Sequence, residues 1–217
     1  MDNVRSTPRI ADVVRSLTPD IVCFQEIHRK LAWSAREDQP AKLKHLLNRQ
    51  FDFQSNVRFG LGQYGIGIAH RSIVAQVRNH FLPGDKEQRG AIELTLRVGG
   101  LPGVVTVYCT HWGLDEEERL SQAHALAEII NRVSTPVIVC GDLNEPSTGS
   151  AVRALLRETG LMDADADLNR PTFTSDAPTV RIDYCFYSCH FNLKNVEVVK
   201  TLASDHLPLL VDLDRVR

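Results

Sequence analysis

Residues 141–144, Gly-Asp-Leu-Asn, are the segment of this chain best suited to chemistry. They follow an apolar run, residues 136–140, that is typical of a buried strand. Asp142 and Asn144 would then lie at the end of that strand, where a carboxylate and an amide can hold a hydrated divalent cation and a phosphate. Taken alone, the segment is equally compatible with a turn or a helix cap, because Asp and Asn are common in both.

Four further strand-like segments each bring an acid or a histidine to a strand end. These residues are Glu26, His111, Asp183, Asp205 and His206. Five separate turns, each satisfied locally, would be a coincidence. We therefore interpret the five strand ends as parts of one site for a metal ion and a phosphate.

In their order along the chain, these segments resemble those of the endonuclease/exonuclease/phosphatase superfamily. The matching segments are 24–26 (Phe-Gln-Glu), 88–90 (Gln-Arg-Gly), 110–111 (Thr-His), 141–144, 171–173 (Pro-Thr-Phe) with 181–184 (Arg-Ile-Asp-Tyr), and 204–208 (Ser-Asp-His-Leu-Pro). The resemblance extends from about residue 10 to the C-terminus. It implies an α+β fold, a four-layer α-β-β-α sandwich of two mixed sheets flanked by helices. It also implies Mg²⁺-dependent hydrolysis of phosphate esters.

The resemblance implies a metal site that is formed by two carboxylates. Glu26 would bind Mg²⁺, or Mn²⁺ in its place, and Asp205 would be a second carboxylate beside the metal. For Glu26 the alternative is a structural ion pair with Arg29.

The resemblance also implies how the remaining polar residues act on a phosphate. Asp142 would orient or deprotonate the attacking water, and Asn144 would hold the phosphate or Asp142. His206 would donate to the non-bridging phosphate oxygens as charge builds up on them. Asp183 would accept a hydrogen bond from the other ring nitrogen of His206, which fixes its tautomer and raises its pKa.

Two basic residues have open alternatives. His111 would be a phosphate-binding donor or a leaving-group acid, and its alternative is a core histidine bonded to the backbone. Arg89 would hold a phosphate through its forked guanidinium, or it is an exposed loop arginine beside Lys86. Trp112 would form a wall of the cleft or cover the edge of the core.

One departure from the family pattern concerns the start of the chain. Family members begin with a strand whose Asn helps to bind the metal, whereas Asn3 has only two residues before it. We therefore expect one of three explanations: the sequence is truncated at its start, Asn3 is a poor substitute, or the strand is absent. A lost strand would leave unpaired backbone groups on its neighbour. A second interpretation follows: a catalytically impaired family member that binds a phosphorylated ligand or a protein.

Composition limits the remaining possibilities. The 217 residues predict a single domain, 1–217, and the formal net charge of −2 does not provide the broad basic field of a protein that binds long duplex DNA through charge. A nucleic acid or a small phosphodiester remains possible as substrate, and no obligate protein partner is evident. We find no apolar run of about 20 residues and no signal peptide, so we expect a cytoplasmic protein. The five cysteines are expected to be reduced structural thiols.

Periodicity and turn residues outline the elements that must position these residues. Helices are predicted at 7–17, 39–48, 115–133 and 148–158, with Thr7 capping the first and Asp115 with Glu118 forming a capping box in the third. Residues 91–98 alternate between apolar and polar types, which predicts a half-buried strand.

Overall fold

The structure is a computed structural model that describes residues 6–100 and 103–216, so Asn3 lies outside the described residues. Within those ranges the chain forms four α-helices and eleven strands. The helices are α1 (Thr7–Leu17), α2 (Gln39–Leu47), α3 (Glu116–Ile130) and α4 (Ser150–Thr159). The strands are β1 (Ile21–Arg29), β2 (Gln50–Phe59), β3 (Gly62–His70), β4 (Ile73–Phe81), β5 (Gly90–Arg97), β6 (Val105–His111), β7 (Val137–Asp142), β8 (Met162–Asp163), β9 (Asp183–Tyr187), β10 (Phe191–Val198) and β11 (Leu209–Arg215).

Four layers stack on one another. A six-stranded sheet has the order β4-β5-β6-β7-β9-β8, with β6 and β7 parallel and the other neighbours antiparallel. Apolar residues of its two faces pack against α3 and α4 on one side and against β1, β3 and the β10–β11 hairpin on the other. Helices α1 and α2 cover the antiparallel sheet β1-β3-β2. The α+β sandwich predicted from the sequence is confirmed.

The prediction that residues 91–98 form a half-buried strand is wrong, because both faces of β5 are covered. Its polar face includes Glu93, which is only 2% exposed. The Glu93 carboxylate pairs with Arg78 at 3.2 Å and with His80 at 2.7 Å, both on the neighbouring strand β4. A buried carboxylate is tolerated there because cationic or hydrogen-bonding partners surround it.

Two helix starts also differ from the sequence predictions. Ser6, not Thr7, caps α1, and the Thr7 hydroxyl instead donates to Glu37 at 2.6 Å. Asp115 caps α3 as predicted, but Glu118 does not complete a capping box. The Glu118 carboxylate accepts from the backbone N–H groups of residues 85 and 86, and so it fastens the loop before β5 to α3.

A cleft of about 1790 Å³ lies between β1 and β11. In the described ranges β1 pairs only with β3, and β11 pairs only with β10, so the second edge of each strand borders the cleft. The cleft also includes residues at the ends of β7 and β9. None of the described helices is long and apolar enough to cross a bilayer.

Candidate active site

The centre of the site is a pair of aspartates on adjacent strands. Asp142 ends β7 and Asp183 begins β9, and the antiparallel register places them directly opposite each other. Gly141 allows β7 to approach β6 closely, because a Cβ there would lie 2.2 Å from the carbonyl oxygen of Thr110. The glycine of the 141–144 segment is therefore explained by packing between strands, and the aspartate by its position at the strand end.

His206 is fixed against Asp183 by neighbouring segments. Its Nδ1 atom lies 2.8 Å from Oδ2 of Asp183, the contact expected from the sequence. The hydroxyl of Thr172 accepts from the backbone N–H of Asp183 at 3.3 Å, and the Phe173 ring lies 4.8 Å from the His206 ring. The sequence analysis gave no role to Phe173, although it singled out the segment that contains it.

The environment of His206 favours its charged form. Burial by itself would lower the pKa of His206, but the hydrogen bond to Asp183 and the negative charges of Asp183 and Asp142 outweigh it and raise the pKa to about 9. At neutral pH the ring is therefore an imidazolium, and its Nε2 atom lies 3.8 Å from Oδ2 of Asp142, on the side that faces the cleft. Such a group can donate to an anion.

For Asp142, in contrast to His206, burial acts to raise the pKa. Its Oδ1 atom accepts from the backbone N–H of Asn144 at 2.8 Å, and its Oδ2 atom lies 3.6 Å from His111 and 3.8 Å from His206. Burial and the charge of Asp183 raise the pKa of Asp142 to about 7, although His206 acts in the other direction. A carboxyl group with a pKa near neutrality can take up and release a proton during turnover.

Asn144 occupies a tight turn after Asp142. Its φ of 50° lies in the left-handed region, which Asn adopts more readily than most residues. Its amide nitrogen donates to the carbonyl oxygen of Trp112 at 2.9 Å and lies 3.1 Å from Nε2 of His111. Trp112 itself is fully buried in the core, so its alternative role as a cleft wall is wrong.

His111 and Arg89 form a buried pair beside Asp142. The Arg89 guanidinium donates to Nδ1 of His111 at 3.0 Å and pairs with Glu87 at 3.0 Å. Arg89 is only 8% exposed, so the alternative of an exposed loop arginine is wrong. A guanidinium and an amide NH₂ only donate, and they face Nδ1 and Nε2 of His111 at 3.0 and 3.1 Å, so the surroundings of both ring nitrogens favour a neutral ring over an imidazolium.

The pKa of His111 supports the same assignment. Burial, followed by the positive charges of Arg89 and His206, lowers the pKa of His111 to about 3. The ring is therefore neutral near pH 7. A neutral ring does not carry the proton that a leaving-group acid must give up, which favours the phosphate-binding alternative over the leaving-group acid.

Glu26 and Asp205 are the two predicted metal ligands, and both are exposed on the cleft that contains Asp142 and His206. Glu26 lies in a bulge of β1 and has a φ of 57°, a left-handed conformation that is costly for a glutamate. Its carboxylate contacts Tyr64, whose pKa is raised by burial and by the charge and hydrogen bond of Glu26. The structural alternative for Glu26 is not favoured, because Arg29 pairs with Asp38 at 3.3 Å.

The chemistry of the cleft fits a hard divalent cation. In the described part of the chain, one group of acids and histidines is close enough to hold an ion, and it consists of Asp142, Asp183 and His206. A protonated His206 cannot be a ligand, whereas Mg²⁺ and Mn²⁺ prefer oxygen ligands and Mg²⁺ retains several waters. Solvent-facing carboxylates such as Glu26 and Asp205 suit that preference, and their role as ligands stays a prediction.

Glu145 is a supporting residue that the sequence analysis missed. Its buried carboxylate accepts from the backbone N–H groups of Ala151 and Val152 at 2.8 and 2.9 Å, at the start of α4, and pairs with Arg119 at 3.2 Å. The Tyr184 hydroxyl donates to the Glu145 carbonyl at 2.8 Å. Glu145 therefore anchors the 141–144 turn to α4. Glu145 lies five residues before the first residue of α4, Ser150, which hid it from the usual capping patterns.

Comparisons with known proteins agree with this fold. A family model for the endonuclease/exonuclease/phosphatase family matches residues 3–206. An endonuclease/exonuclease/phosphatase from Beutenbergia cavernae superposes with a TM-score of 0.84 and 26% identity, over 98% of this chain and 67% of that chain. The uncharacterized protein YbhP of Escherichia coli K12 is 26% identical over 233 residues, which cover 95% of this chain and 87% of YbhP. A mannosyl-6-phosphatase from Bacteroides thetaiotaomicron shares the fold, with a TM-score of 0.79 and 19% identity over 96% of this chain and 90% of that chain.

Proposed function

This chain belongs to the endonuclease/exonuclease/phosphatase family, and from that premise we propose that it hydrolyses phosphodiesters with Mg²⁺ as its metal ion. Family membership supports action on phosphate esters. The observation that carries the finer proposal is a pair of raised pKa values in one cleft: the pKa of Asp142 is raised to about 7 and that of His206 to about 9. Between these values Asp142 is a carboxylate while His206 is an imidazolium, which is the combination of base and cationic donor that in-line attack by water requires.

Asp142 is the residue that activates the attacking water. Its Oδ1 atom accepts from the N–H of Asn144, and its Oδ2 atom faces His111 and His206 at the longer distances of 3.6 and 3.8 Å. Because burial raises the pKa of Asp142, its carboxylate is a stronger base than an exposed aspartate. The proton taken from water is held on Asp142 until the product leaves.

His206, His111 and Asn144 surround the position of the phosphate. His206 presents a charged N–H, held in place by the hydrogen bond between its Nδ1 and Asp183. His111 presents a neutral ring, held between the Arg89 guanidinium and the Asn144 amide. These donors stabilise the non-bridging oxygens most strongly when negative charge accumulates on them in the transition state.

Glu26 and Asp205 are the residues that would hold the metal ion. A divalent cation, when bound, neutralises charge on the phosphate and polarises it. The left-handed conformation of Glu26 is consistent with this role, because strained backbone conformations cluster at functional sites.

The proposed substrate class rests on the net charge of the chain. A net charge of −2 disfavours long duplex DNA held by a basic surface, so small phosphodiesters and short nucleic acid strands are the better candidates. The mannosyl-6-phosphatase that shares the fold is named as a phosphatase. Diester and monoester substrates must therefore be compared directly.

We expect this chain to hydrolyse bis(p-nitrophenyl) phosphate faster than p-nitrophenyl phosphate, and to lose this activity in EDTA and regain it with Mg²⁺. Glu26→Gln should raise the Mg²⁺ concentration for half-maximal activity by about tenfold or more. Even the loss of a residue that only supports a metal ligand lowers metal affinity by about 10- to 100-fold. The measurement is initial rate against free Mg²⁺ for each ester.

Asp212→Asn is the matched control, because Asp212 lines the same cleft and the change removes the same charge. Faster hydrolysis of the monoester would replace the diester in the proposal with a phosphatase activity. Turnover that is unchanged in EDTA would contradict metal dependence. Tight binding of a phosphate ligand by a folded chain without any turnover would instead support the catalytically impaired interpretation.

A further inference from the structure

Four of the five cysteines meet in the middle of the molecule. The register places Cys140 of β7 directly beside Cys109 of β6 and directly opposite Cys185 of β9. Cys23 of β1, in the facing sheet, lies within hydrogen-bonding reach of Cys109 and Cys140. All four are free thiols. No part of the proposed hydrolytic reaction uses them.

Cys140 and Cys185 have the geometry that a disulfide needs. Their sulfur atoms lie 3.6 Å apart. The N–H of Leu143 donates to the carbonyl of Ile182, so alternate pairs along the two strands, including Cys140 with Cys185, are non-hydrogen-bonded pairs. In such pairs the Cα atoms are about 4.5 Å apart, which lies within the range of roughly 4.4–6.8 Å seen for disulfides. A small rotation of either side chain brings the sulfurs into bonding distance.

The other two cysteines are worse partners for Cys140. Cys23 belongs to the facing sheet, and packed sheets are about 10 Å apart, which exceeds the usual separation of disulfide-bonded Cα atoms. Cys109 is fully buried, and its thiol points toward β1, where it donates to the Phe24 carbonyl at 3.5 Å. The pairing of Cys140 with Cys185 is therefore favoured by the backbone and by the direction of the side chains.

We propose that Cys140 and Cys185 form a reversible redox site that a peroxide converts to a disulfide. The Cys140 thiolate attacks one peroxide oxygen, the O–O bond breaks, and the products are Cys140 sulfenic acid and, from hydrogen peroxide, hydroxide that is protonated to water. The Cys185 sulfur then attacks the Cys140 sulfur, the S–O bond breaks, and a second water leaves with the Cys185 proton. In total, two thiols lose two electrons and two protons, and the peroxide is reduced to two waters.

Cys140 is the sulfur that reacts first. It is half-buried and lines the cleft between β1 and β11, so a small oxidant can reach it, whereas Cys185 is only 6% exposed. Hydrogen bonding with Cys185 and Cys23 lowers the pKa of Cys140, which favours the reactive thiolate.

The position of the disulfide links it to the hydrolytic site, and this consequence rests on the proposed function. Asp142 lies two residues after Cys140, and Asp183 lies two residues before Cys185, so both pairs occupy the same face of the sheet, one step apart. A covalent bond between the cysteines restricts the spacing and twist of the strand ends that carry the aspartates. We expect oxidation to slow turnover several-fold and a dithiol to restore it.

The test uses the full chain with Cys189→Ser, because Cys189 is exposed and would form disulfides between molecules. After treatment with one equivalent of hydrogen peroxide, we expect the intact mass to fall by two hydrogen atoms, and peptide mapping to join Cys140 to Cys185. In the Cys185→Ser variant, Cys140 should remain as a sulfenic acid and react with dimedone. In the Cys140→Ser variant, dimedone labelling of Cys185 should be at least about tenfold weaker than the labelling of Cys140 in Cys185→Ser, because the oxidant cannot easily reach the buried Cys185 thiol.

A bond that maps to Cys23 or Cys109, or labelling that is stronger at Cys185 than at Cys140, would overturn the assignment. Absence of any intramolecular disulfide, while circular dichroism shows a folded chain, would overturn the site itself. A mapped disulfide with unchanged turnover would keep the redox site and refute its control of hydrolysis. Absence of turnover before and after oxidation would count against the proposed function alone, because the mass measurement does not depend on activity.

Discussion

Replacing Asp142 by Asn should lower kcat for a phosphodiester about 10²- to 10⁴-fold, the range that a positioned general base contributes. An amide keeps the size of the carboxyl group, and its oxygen can still accept from the N–H of Asn144, but it cannot take a proton from water. The measurement is kcat and KM at about pH 8, where the carboxylate form of Asp142 and the imidazolium form of His206 coexist. KM should change little, because the lost interaction acts in the transition state.

The same substitution should leave the fold intact. Burial disfavours the ionised form of Asp142 and raises its pKa to about 7, so the contribution of this group to stability is present at low pH and is lost as the pH rises through 7. At pH 8 a neutral Asn should therefore give equal or greater thermal stability. Asp167→Asn, at an exposed position, is the matched control for loss of a charge. Wild-type turnover in Asp142→Asn would refute the assignment of the base.

Replacing Asp183 by Asn should lower turnover at pH 8 about 10²-fold or more, comparable to the loss of one transition-state donor. The hydrogen bond and charge of Asp183 hold the pKa of His206 at about 9 against burial. Without them burial dominates, the pKa of His206 falls, and the ring is neutral at pH 8. The charge of Asp183 also raises the pKa of Asp142, so that pKa falls too, and the whole pH–rate profile should move to lower pH.

His206→Gln separates the two effects of Asp183. It removes the titrating ring, so the alkaline limb of the profile should disappear while the acidic limb remains. A profile of Asp183→Asn with its alkaline limb at the wild-type position would contradict the role of Asp183 as the residue that positions and charges His206. Nuclear magnetic resonance titration of the His206 ring reads the same pKa shift without relying on turnover.

The strand ends were predictable because their signals are local. An apolar run with an acid or a histidine at one end can be recognised within about six residues. The sequence alone therefore predicts that Asp142, Asp183 and His206 lie at or beside strand ends. The contact between Asp183 and His206 followed from the family resemblance, since 23 residues separate them in sequence. Both ends of the first helix, Thr7–Leu17, were predicted correctly, because Pro8 and the spacing of the apolar residues mark this helix clearly.

Properties that depend on pairing between distant strands could not be predicted. The alternation in residues 91–98 gives no sign that Glu93 is buried, because its partners Arg78 and His80 reach it only through the pairing of β5 with β4. The buried state of Arg89 depends likewise on the register of β5 with β6, which brings it to His111. Each of these contacts joins residues that are separated by loops.

The cysteine cluster shows the same limit more clearly. In the sequence, Cys140 and Cys185 are 45 residues apart, and the close pair is Cys185 with Cys189. Only the register of β7 with β9 places the first pair together and leaves Cys189 on the surface. The expectation of reduced structural thiols holds no information about which of them are neighbours in the fold.

The central claim is that Asp142 and His206 act together on one phosphate in opposite protonation states. The most direct measurement is the pH dependence of kcat/KM for bis(p-nitrophenyl) phosphate in saturating Mg²⁺. We predict a bell-shaped profile that rises through an apparent pKa of about 7, falls through an apparent pKa of about 9, and has its maximum at about pH 8. A profile that stays level up to pH 10, or one that already falls near the ordinary pKa of histidine at about 6.5, would contradict the account.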